Sequence, residues 1–274
     1  MIQIGKQTHY HREMLEKHMG IGTQVAMTDK RRIIERYPES ERAAFKKALQ
    51  QQLKLVVEIA SKYGIQMRID CGTLLGFHRD HRMIPWDFDN DVSCMLADLT
   101  KPFVEDLMYH GLLKQKRAQF YFNVQELLNG FEGEGQYFEP KILKVISDQK
   151  FFDGTLPVCT DIFTWVPYNG KLYSHLSKHM HMVQDPANVF PLHSAGGANQ
   201  HILLPNNPDT YLEWMYGEDW RTPNPSHQDK IGACKGLENH ITNGQIMQNI
   251  VTKDIVCKPL KQLNTYTNTN TKSK

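Results

Sequence analysis

The stretch that decides the fold is I-P-W-D-F-D-N-D-V, residues 84–92. It contains three aspartates, Asp87, Asp89 and Asp91, each two residues from the next. On an extended backbone these side chains point to the same face, with neighbouring Cα atoms roughly 6–7 Å apart. Carboxylates this close raise one another's pKa unless a cation lies among them. The pattern therefore indicates either a solvated acidic turn or a site for a hard divalent cation, Mg²⁺ or Mn²⁺.

The segments on both sides of this stretch alternate between apolar and polar residues, which is typical of half-buried strands. Residues 65–71, I-Q-M-R-I-D-C, predict one strand, with the glutamine, arginine and aspartate on its polar face. Residues 91–96, D-V-S-C-M-L, predict a second strand. Between them Gly72 and Thr73 begin a short helix, whose free backbone N–H groups are suited to hold a phosphate.

The remaining elements follow from apolar spacing and from capping residues. Residues 172–200 contain several histidines and show little periodicity. The elements expected elsewhere are a helix over 41–63 capped by Ser40 and ended by Gly64, a helix that begins after Thr100, strands over 118–127 and 139–147 joined as a hairpin, a strand over 158–166 followed by a turn at 168–171, and a helix capped by Asn207 and ended by Gly217.

A further aspartate, Asp161, lies in the apolar strand predicted over 158–166. A lone carboxylate is costly to bury without a partner. Two interpretations remain open at this point. Asp161 either pairs with an arginine or lysine of the core, or joins the three aspartates of residues 84–92.

Composition excludes several classes of function. The 274 residues are 40% hydrophobic and 23% charged, which is typical of a globular protein, and the net charge of +2 argues against nucleic acid as a partner. The five cysteines form no C-x-x-C pair, which favours free thiols in a reducing compartment. No apolar run is long enough for a transmembrane segment, and the first residues lack the apolar region of a secretory signal. We therefore expect a cytoplasmic protein, with peripheral membrane association left open.

The segment D-C-G-T-L-L-G-F-H-R-D-H-R-M-I-P-W-D-F-D-N-D-V, residues 70–92, resembles the signature of the LicD/fukutin family. T-D-I-F at 160–163 resembles the later acidic strand of that family, and residues 189–225 resemble its C-terminal segment. The resemblance implies an α+β fold of the nucleotidyltransferase type, with a mixed sheet flanked by helices. It also implies metal-dependent transfer of a phospho-alcohol, such as phosphocholine or phosphoribitol, from a CDP-activated donor to a glycan, glycoconjugate or lipid-linked saccharide.

The resemblance also implies roles for particular residues. The expected metal ligands are Asp87, Asp89, Asp91 and Asp161, with Mg²⁺ or Mn²⁺ as the ion. The expected catalytic residues are Asp89, Asp91 and Asp161, the last of which either completes the metal site or accepts the proton of the acceptor hydroxyl. The expected substrate-binding residues are Gly72, Thr73, Arg79 and Lys144. For Arg79 an ion pair with one of the three aspartates is the alternative to a phosphate contact, and for Lys144 the alternative is a solvated position.

The chain departs from the family pattern at Phe88 and Asn90, where an acidic residue is often found. We expect three segments: an N-terminal basic arm over 1–38, a LicD-like catalytic domain over 39–260, and a disordered, low-complexity tail over 261–274. Three other functions use the same pattern and remain open. They are a nucleotidylyltransferase, a nucleotide-sugar glycosyltransferase and a catalytically inactive scaffold of the same fold.

Overall fold

The computed structural model describes residues 34–113, 121–125, 127–128, 141–168, 170–177, 180–196 and 201–223. The predicted arm over 1–38 lies outside these ranges except for its last five residues. The predicted tail over 261–274 lies wholly outside them. These two predicted boundaries therefore stay predictions.

The described residues form a mixed sheet flanked by helices, which confirms the predicted α+β class. The helices are α1 (Glu39–Lys62), α2 (Cys71–Leu75), α3 (Lys101–Tyr109), α4 (Pro186–Val189) and α5 (Pro208–Tyr216). The strands are β1 (Arg68–Ile69), β2 (Asn90–Met95), β3 (Ile142–Phe151), β4 (Leu156–Tyr168), β5 (Lys171–Ser177), β6 (Met180–Gln184), β7 (His193–Ser194) and β8 (Leu203–Leu204). A π-helical turn, Gly76–Asp80, continues α2.

The strands are ordered β6-β5-β4-β2-β1-β8-β7, and β3 pairs with the first part of β4. β2 pairs antiparallel with β1 and parallel with β4, so the predicted neighbourhood of these three strands is confirmed. The register sets Asp91 directly beside Asp161. Neighbouring strands lie about 4.8 Å apart and in-register side chains share a face. The two carboxylates are therefore brought together by the sheet itself.

Helix α1 covers one face of the sheet. It packs on β4 and α3, and its buried residues Leu49 and Val56 belong to its apolar stripe. The helix begins at Glu39 after Pro38, so the predicted cap at Ser40 is wrong: the Pro38 carbonyl accepts the first backbone bonds, and Ser40 lies inside the first turn. Within the described ranges no helix is both long and apolar enough to cross a membrane.

The predicted polar face of the strand over 65–71 is wrong for Arg68 and Asp70, whereas Gln66 is exposed. Arg68 and Asp70 are 1% and 0% exposed, and the strand proper is only Arg68–Ile69. β1 lies inside the sheet, between β2 and β8, and the side chains of Arg68 and Asp70 are enclosed there. Buried charged residues must find buried partners.

The predicted hairpin of 118–127 with 139–147 is also wrong where the structure describes it. Tyr121 makes a single parallel bridge to Ile142, and Val124 is helical. Asn123 explains the helical turn, because its side chain accepts a bond from the backbone N–H of Gln125. β3 instead pairs antiparallel with β4.

The region after β4 is more regular than its sequence indicates. The predicted turn is confirmed: Tyr168 pairs with Lys171 and Gly170 has φ +73°. β5 and β6 then form an antiparallel pair within the segment of little periodicity. The C-terminal helix α5 is capped by Asn207 and ends at Gly217, as predicted.

Candidate active site

The three aspartates of residues 84–92 alternate with two buried side chains. Asp87, Asp89 and Asp91 are half-buried, whereas Phe88 and Asn90 are 8% and 0% exposed. The side chain of Phe88 packs in a small apolar cluster with residues of α1. That of Asn90 donates hydrogen bonds to the Leu49 carbonyl, at 2.9 Å, and to a threonine of β4. Phe88 and Asn90, which alternate with the aspartates, thus face the packing side of this segment.

The two positions that depart from the family pattern therefore face away from the aspartates. An acid in place of Phe88 would lie among apolar residues. An acid in place of Asn90 would lose the donor that binds the Leu49 carbonyl. Neither position adds a carboxylate to the aspartate row.

Two of the three aspartates converge on the start of α2. A Cβ placed on Gly72 would stand 2.7 Å from Asp87 Oδ2 and 3.5 Å from Asp91 Oδ2. The Gly72 N–H donates to Asp91 Oδ2 at 3.2 Å. Only glycine leaves this space open, and it places a backbone N–H and two carboxylates around one point.

Thr73 acts on the same aspartate. Its hydroxyl oxygen accepts a hydrogen bond from the Asp91 N–H at 2.8 Å, and the threonine side chain is buried. Gly72 and Thr73 were predicted to touch substrate. In the structure Thr73 holds Asp91 in place, whereas Gly72 lines the open side of the carboxylate pair.

The negative charges of the aspartates repel one another. Burial, followed by the charges of Asp89 and Asp87, raises the pKa of the Asp91 carboxyl well above its usual range. Asp161 and Asp70 add to this effect. A carboxyl group among like charges keeps its proton more readily, which is the condition that a bound cation relieves.

Asp161 has the lysine partner that was one of its two predicted interpretations. Lys144 stands opposite it in the antiparallel pair of β3 and β4. The Lys144 ammonium donates to Asp161 Oδ2 at 2.8 Å and lies 2.6 Å from Oδ1. Burial disfavours the charge of Lys144, but the Asp161 carboxylate outweighs it, and the pKa of Lys144 is raised well above its usual range. Lys144 is therefore a fixed cation beside the cluster, and the predicted solvated alternative is wrong.

Arg79 pairs with an aspartate outside the row of Asp87, Asp89 and Asp91. It binds Asp80 through two hydrogen bonds, from Nε at 2.8 Å and from Nη2 at 2.7 Å. Its Nη1 donates to the Trp220 carbonyl at 3.3 Å. The predicted ion pair with one of the three aspartates is absent among these contacts, and the predicted phosphate contact stays a prediction.

A buried polar network beneath the site was not predicted. The Tyr211 hydroxyl of α5 donates to Asp70 Oδ1 at 2.6 Å, and Arg68 donates to Oδ2 at 3.3 Å. Ser93 of β2 also donates to Oδ2, and the Cys71 N–H donates to Oδ1 at 2.8 Å. Asp70 thus joins β1, α2, β2 and α5 just below the aspartate row. The burial of a charged pair in an alternating strand could not be inferred from the pattern alone.

The aspartates also meet part of the chemical requirement for a cation. Their oxygens are the ligands that Mg²⁺ and Mn²⁺ prefer. The described part of the chain contains no group of three or more His, Cys, Asp or Glu side chains arranged to hold a metal. However, Mg²⁺ is commonly bound by one or two carboxylates together with substrate phosphates. The pair formed by Asp87 and Asp91 at Gly72 fits a cation that arrives with a diphosphate.

The family model of the LicD/FKTN/FKRP nucleotidyltransferase domain matches residues 64–207. This is more than half of the 274 residues, and the chain belongs to that family. Membership supports a transferase that modifies glycans with phospho-alcohol groups, in general terms. A comparison with curated proteins gave no match.

Proposed function

We propose that the protein transfers a phospho-alcohol, such as phosphocholine or phosphoribitol, from a CDP-activated donor to a glycan, glycoconjugate or lipid-linked saccharide. The observation that carries the proposal is the convergence of Asp87 and Asp91 on Gly72, with Asp161 in register beside Asp91. The proposal is supported by the Gly72 N–H, which bonds Asp91, and by the Lys144 ammonium, which bonds Asp161. Such a set is suited to a diphosphate with a divalent ion.

In this proposal Asp87, Asp89 and Asp91 would hold Mg²⁺ or Mn²⁺. The ion would supply charge neutralisation for the diphosphate and for the leaving CMP. The open side of Gly72 lets phosphate oxygens approach the backbone, because no Cβ occupies that space. The Lys144 ammonium adds a fixed positive charge on the side of Asp161.

The chemical step is a displacement at the phosphorus that carries the alcohol. The acceptor hydroxyl oxygen forms a bond to this phosphorus, and the bond to the bridging oxygen breaks. The bridging oxygen leaves with CMP. Asp161 either completes the ligand set or accepts the hydroxyl proton. Its hydrogen bond from Lys144 fixes the position of the carboxylate for either role.

Location is also a proposal. The three described cysteines, Cys71, Cys94 and Cys159, are not joined in disulfides. Cysteines outside disulfides suit a reducing compartment, and a cytoplasmic location agrees with this.

The proposal is tested by product analysis of a donor screen. CDP-choline, CDP-ribitol, CDP-glycerol and GDP-mannose are incubated with the protein, Mg²⁺ and a mixed glycan acceptor, and the phosphorus products are identified by ³¹P NMR. Phospho-alcohol transfer releases CMP from a CDP donor. Release of pyrophosphate from a nucleoside triphosphate would instead identify a nucleotidylyltransferase, and release of a nucleoside diphosphate would identify a glycosyltransferase. The absence of turnover with every donor would favour the inactive scaffold.

A further inference from the structure

Lys46 of α1 reaches the aspartate stretch from outside the segment that matches the family. The family match begins at residue 64, whereas Lys46 lies in the second turn of α1. Its ammonium donates to the Ile84 carbonyl at 2.8 Å and also to the Asp87 carbonyl. Both acceptors are backbone atoms, so the contact depends on the path of the chain and not on the side chains of residues 84 and 87.

The two carbonyls belong to the first and last residues of one turn. The Asp87 N–H donates to the Ile84 carbonyl at 3.1 Å, which makes residues 84–87 a β-turn. Lys46 therefore bonds both ends of that turn. The Asp87 carboxylate leaves the turn toward Gly72, with Oδ1 accepting from the Phe88 N–H at 3.1 Å. The direction of this carboxylate is set by the turn that Lys46 holds.

Burial of the Lys46 ammonium disfavours its charged form. Burial lowers its pKa to about 8, and the charges of Asp87 and Asp89 act against this lowering. The neighbouring Lys47, by contrast, is exposed. An ammonium that is buried against two backbone carbonyls has defined partners, unlike a lysine on a solvated helix face.

We propose that Lys46 is a positioning residue of the active site, which ties the turn of residues 84–87 to α1 and so directs the Asp87 carboxylate toward the cation. The role of the cation in this inference rests on the proposed function. The contact between Lys46 and the turn is independent of it. Lys46 touches neither donor nor acceptor, and it acts through Asp87.

The test compares three variants of the full chain: Lys46→Met, Lys46→Arg and, as a matched control, Lys47→Met. Affinity for Mn²⁺ in the presence of excess CDP is measured by calorimetry well below the melting temperature, and exchange of the amides of residues 84–91 is followed by mass spectrometry. We expect Lys46→Met to weaken Mn²⁺ binding by about tenfold or more, the usual effect of losing an outer-shell partner. We expect it also to speed exchange in 84–91. Lys46→Arg should restore much of both, and Lys47→Met should match the wild type.

Unchanged exchange and unchanged Mn²⁺ binding in Lys46→Met would overturn the proposal, as would equal losses in Lys46→Met and Lys47→Met. If Lys46→Met does not fold, Lys46→Gln takes its place, because the shorter, uncharged side chain loses the ammonium that bonds both carbonyls. Faster exchange of 84–91 and weaker Mn²⁺ binding than in Lys47→Met then support the proposal, and values equal to those of Lys47→Met overturn it. A failure of the proposed function has a separate signature. The wild type would then bind no Mn²⁺, while the exchange of residues 84–91 would still report on Lys46.

Discussion

The sharpest prediction concerns the Asp91 carboxylate in the absence of metal. We expect Asp91→Asn to raise the stability of the metal-free protein at neutral pH, although a buried hydrogen-bonded side chain is being changed. The asparagine oxygen can still accept from the Gly72 N–H, whereas the negative charge beside Asp87 and Asp89 is gone. A structural aspartate predicts the opposite sign.

The magnitude follows from the geometry at Gly72. The nearest oxygens of Asp87 and Asp91 lie 2.7 and 3.5 Å from one point, so they are no more than about 6 Å apart. Two unit charges at this distance repel by about 3 kcal/mol at an effective dielectric constant near 20. The Lys144 ammonium compensates part of the field through Asp161. We therefore expect a gain of about 1–2 kcal/mol, which raises the melting temperature by roughly 3–6 °C for a domain of this size.

The assay is thermal unfolding in EDTA from pH 4 to pH 8, with Glu213→Gln as an exposed control. Because the pKa of Asp91 is raised, the wild-type carboxyl takes up its proton as the pH falls, and the repulsion disappears. The advantage of Asp91→Asn should therefore be full at high pH and shrink toward low pH. Mg²⁺ with CDP should stabilise the wild type, by about 2–3 kcal/mol at a hundredfold excess over the dissociation constant, and should leave Asp91→Asn and Asp89→Asn unchanged.

A lower melting temperature of Asp91→Asn across the whole pH range would refute this reasoning. So would an increase of equal size in Glu213→Gln, because that would trace the effect to net charge. An undiminished response of Asp91→Asn to Mg²⁺ with CDP would remove the aspartate from the cation site.

Three further predictions concern the rest of the chain. Burial raises the pKa of Asp98 to about 6 from 3.8. The folded state then binds the Asp98 proton more tightly than the unfolded chain, so the free energy of unfolding falls as pH rises from about 4 to 6. Asp98→Asn should remove this pH dependence and raise the free energy of unfolding by roughly 2 kcal/mol at pH 7, as measured by urea unfolding. Tyr211→Phe removes one buried donor from Asp70 and should cost roughly 2 kcal/mol in the same assay, against less than about 1 kcal/mol for Tyr63→Phe at the surface; equal costs would contradict the buried network. Deletion of residues 261–274, which are rich in Asn, Thr and Lys, should leave melting temperature and turnover unchanged, and a large loss of either would show that the tail docks on the domain.

Local signals predicted the parts of the fold that local physics controls. The Asn207 cap and Gly217 end of α5 and the Gly64 end of α1 are set by backbone groups within a turn or two. The strand of Asp91 follows from its alternation, and the family signature joins that strand to Gly72. These features need no knowledge of what lies across the sheet.

The contacts that could not be predicted from the sequence depend on residues that are distant along the chain. Arg68 and Asp70 were assigned to a solvated face because an alternating strand does not reveal how many of its faces are covered. The Lys46 contact with the Ile84 carbonyl joins residues 38 positions apart, and the Arg79 contact with the Trp220 carbonyl joins residues 141 positions apart. In each case the partner is distant in sequence, and the local pattern does not show which partner a charged side chain will bind.

The most direct test of the central claim is the metal requirement of CMP release. The best CDP-activated donor from the screen is incubated with acceptor and protein in EDTA, and Mg²⁺ is then added in excess. We expect no release in EDTA, full release by the wild type after Mg²⁺ is added, and none by Asp89→Asn or Asp91→Asn, while Glu213→Gln behaves as the wild type. Equal rates of CMP release by the wild type with and without the chelator, or wild-type rates in Asp91→Asn, would contradict an aspartate-held cation at this site.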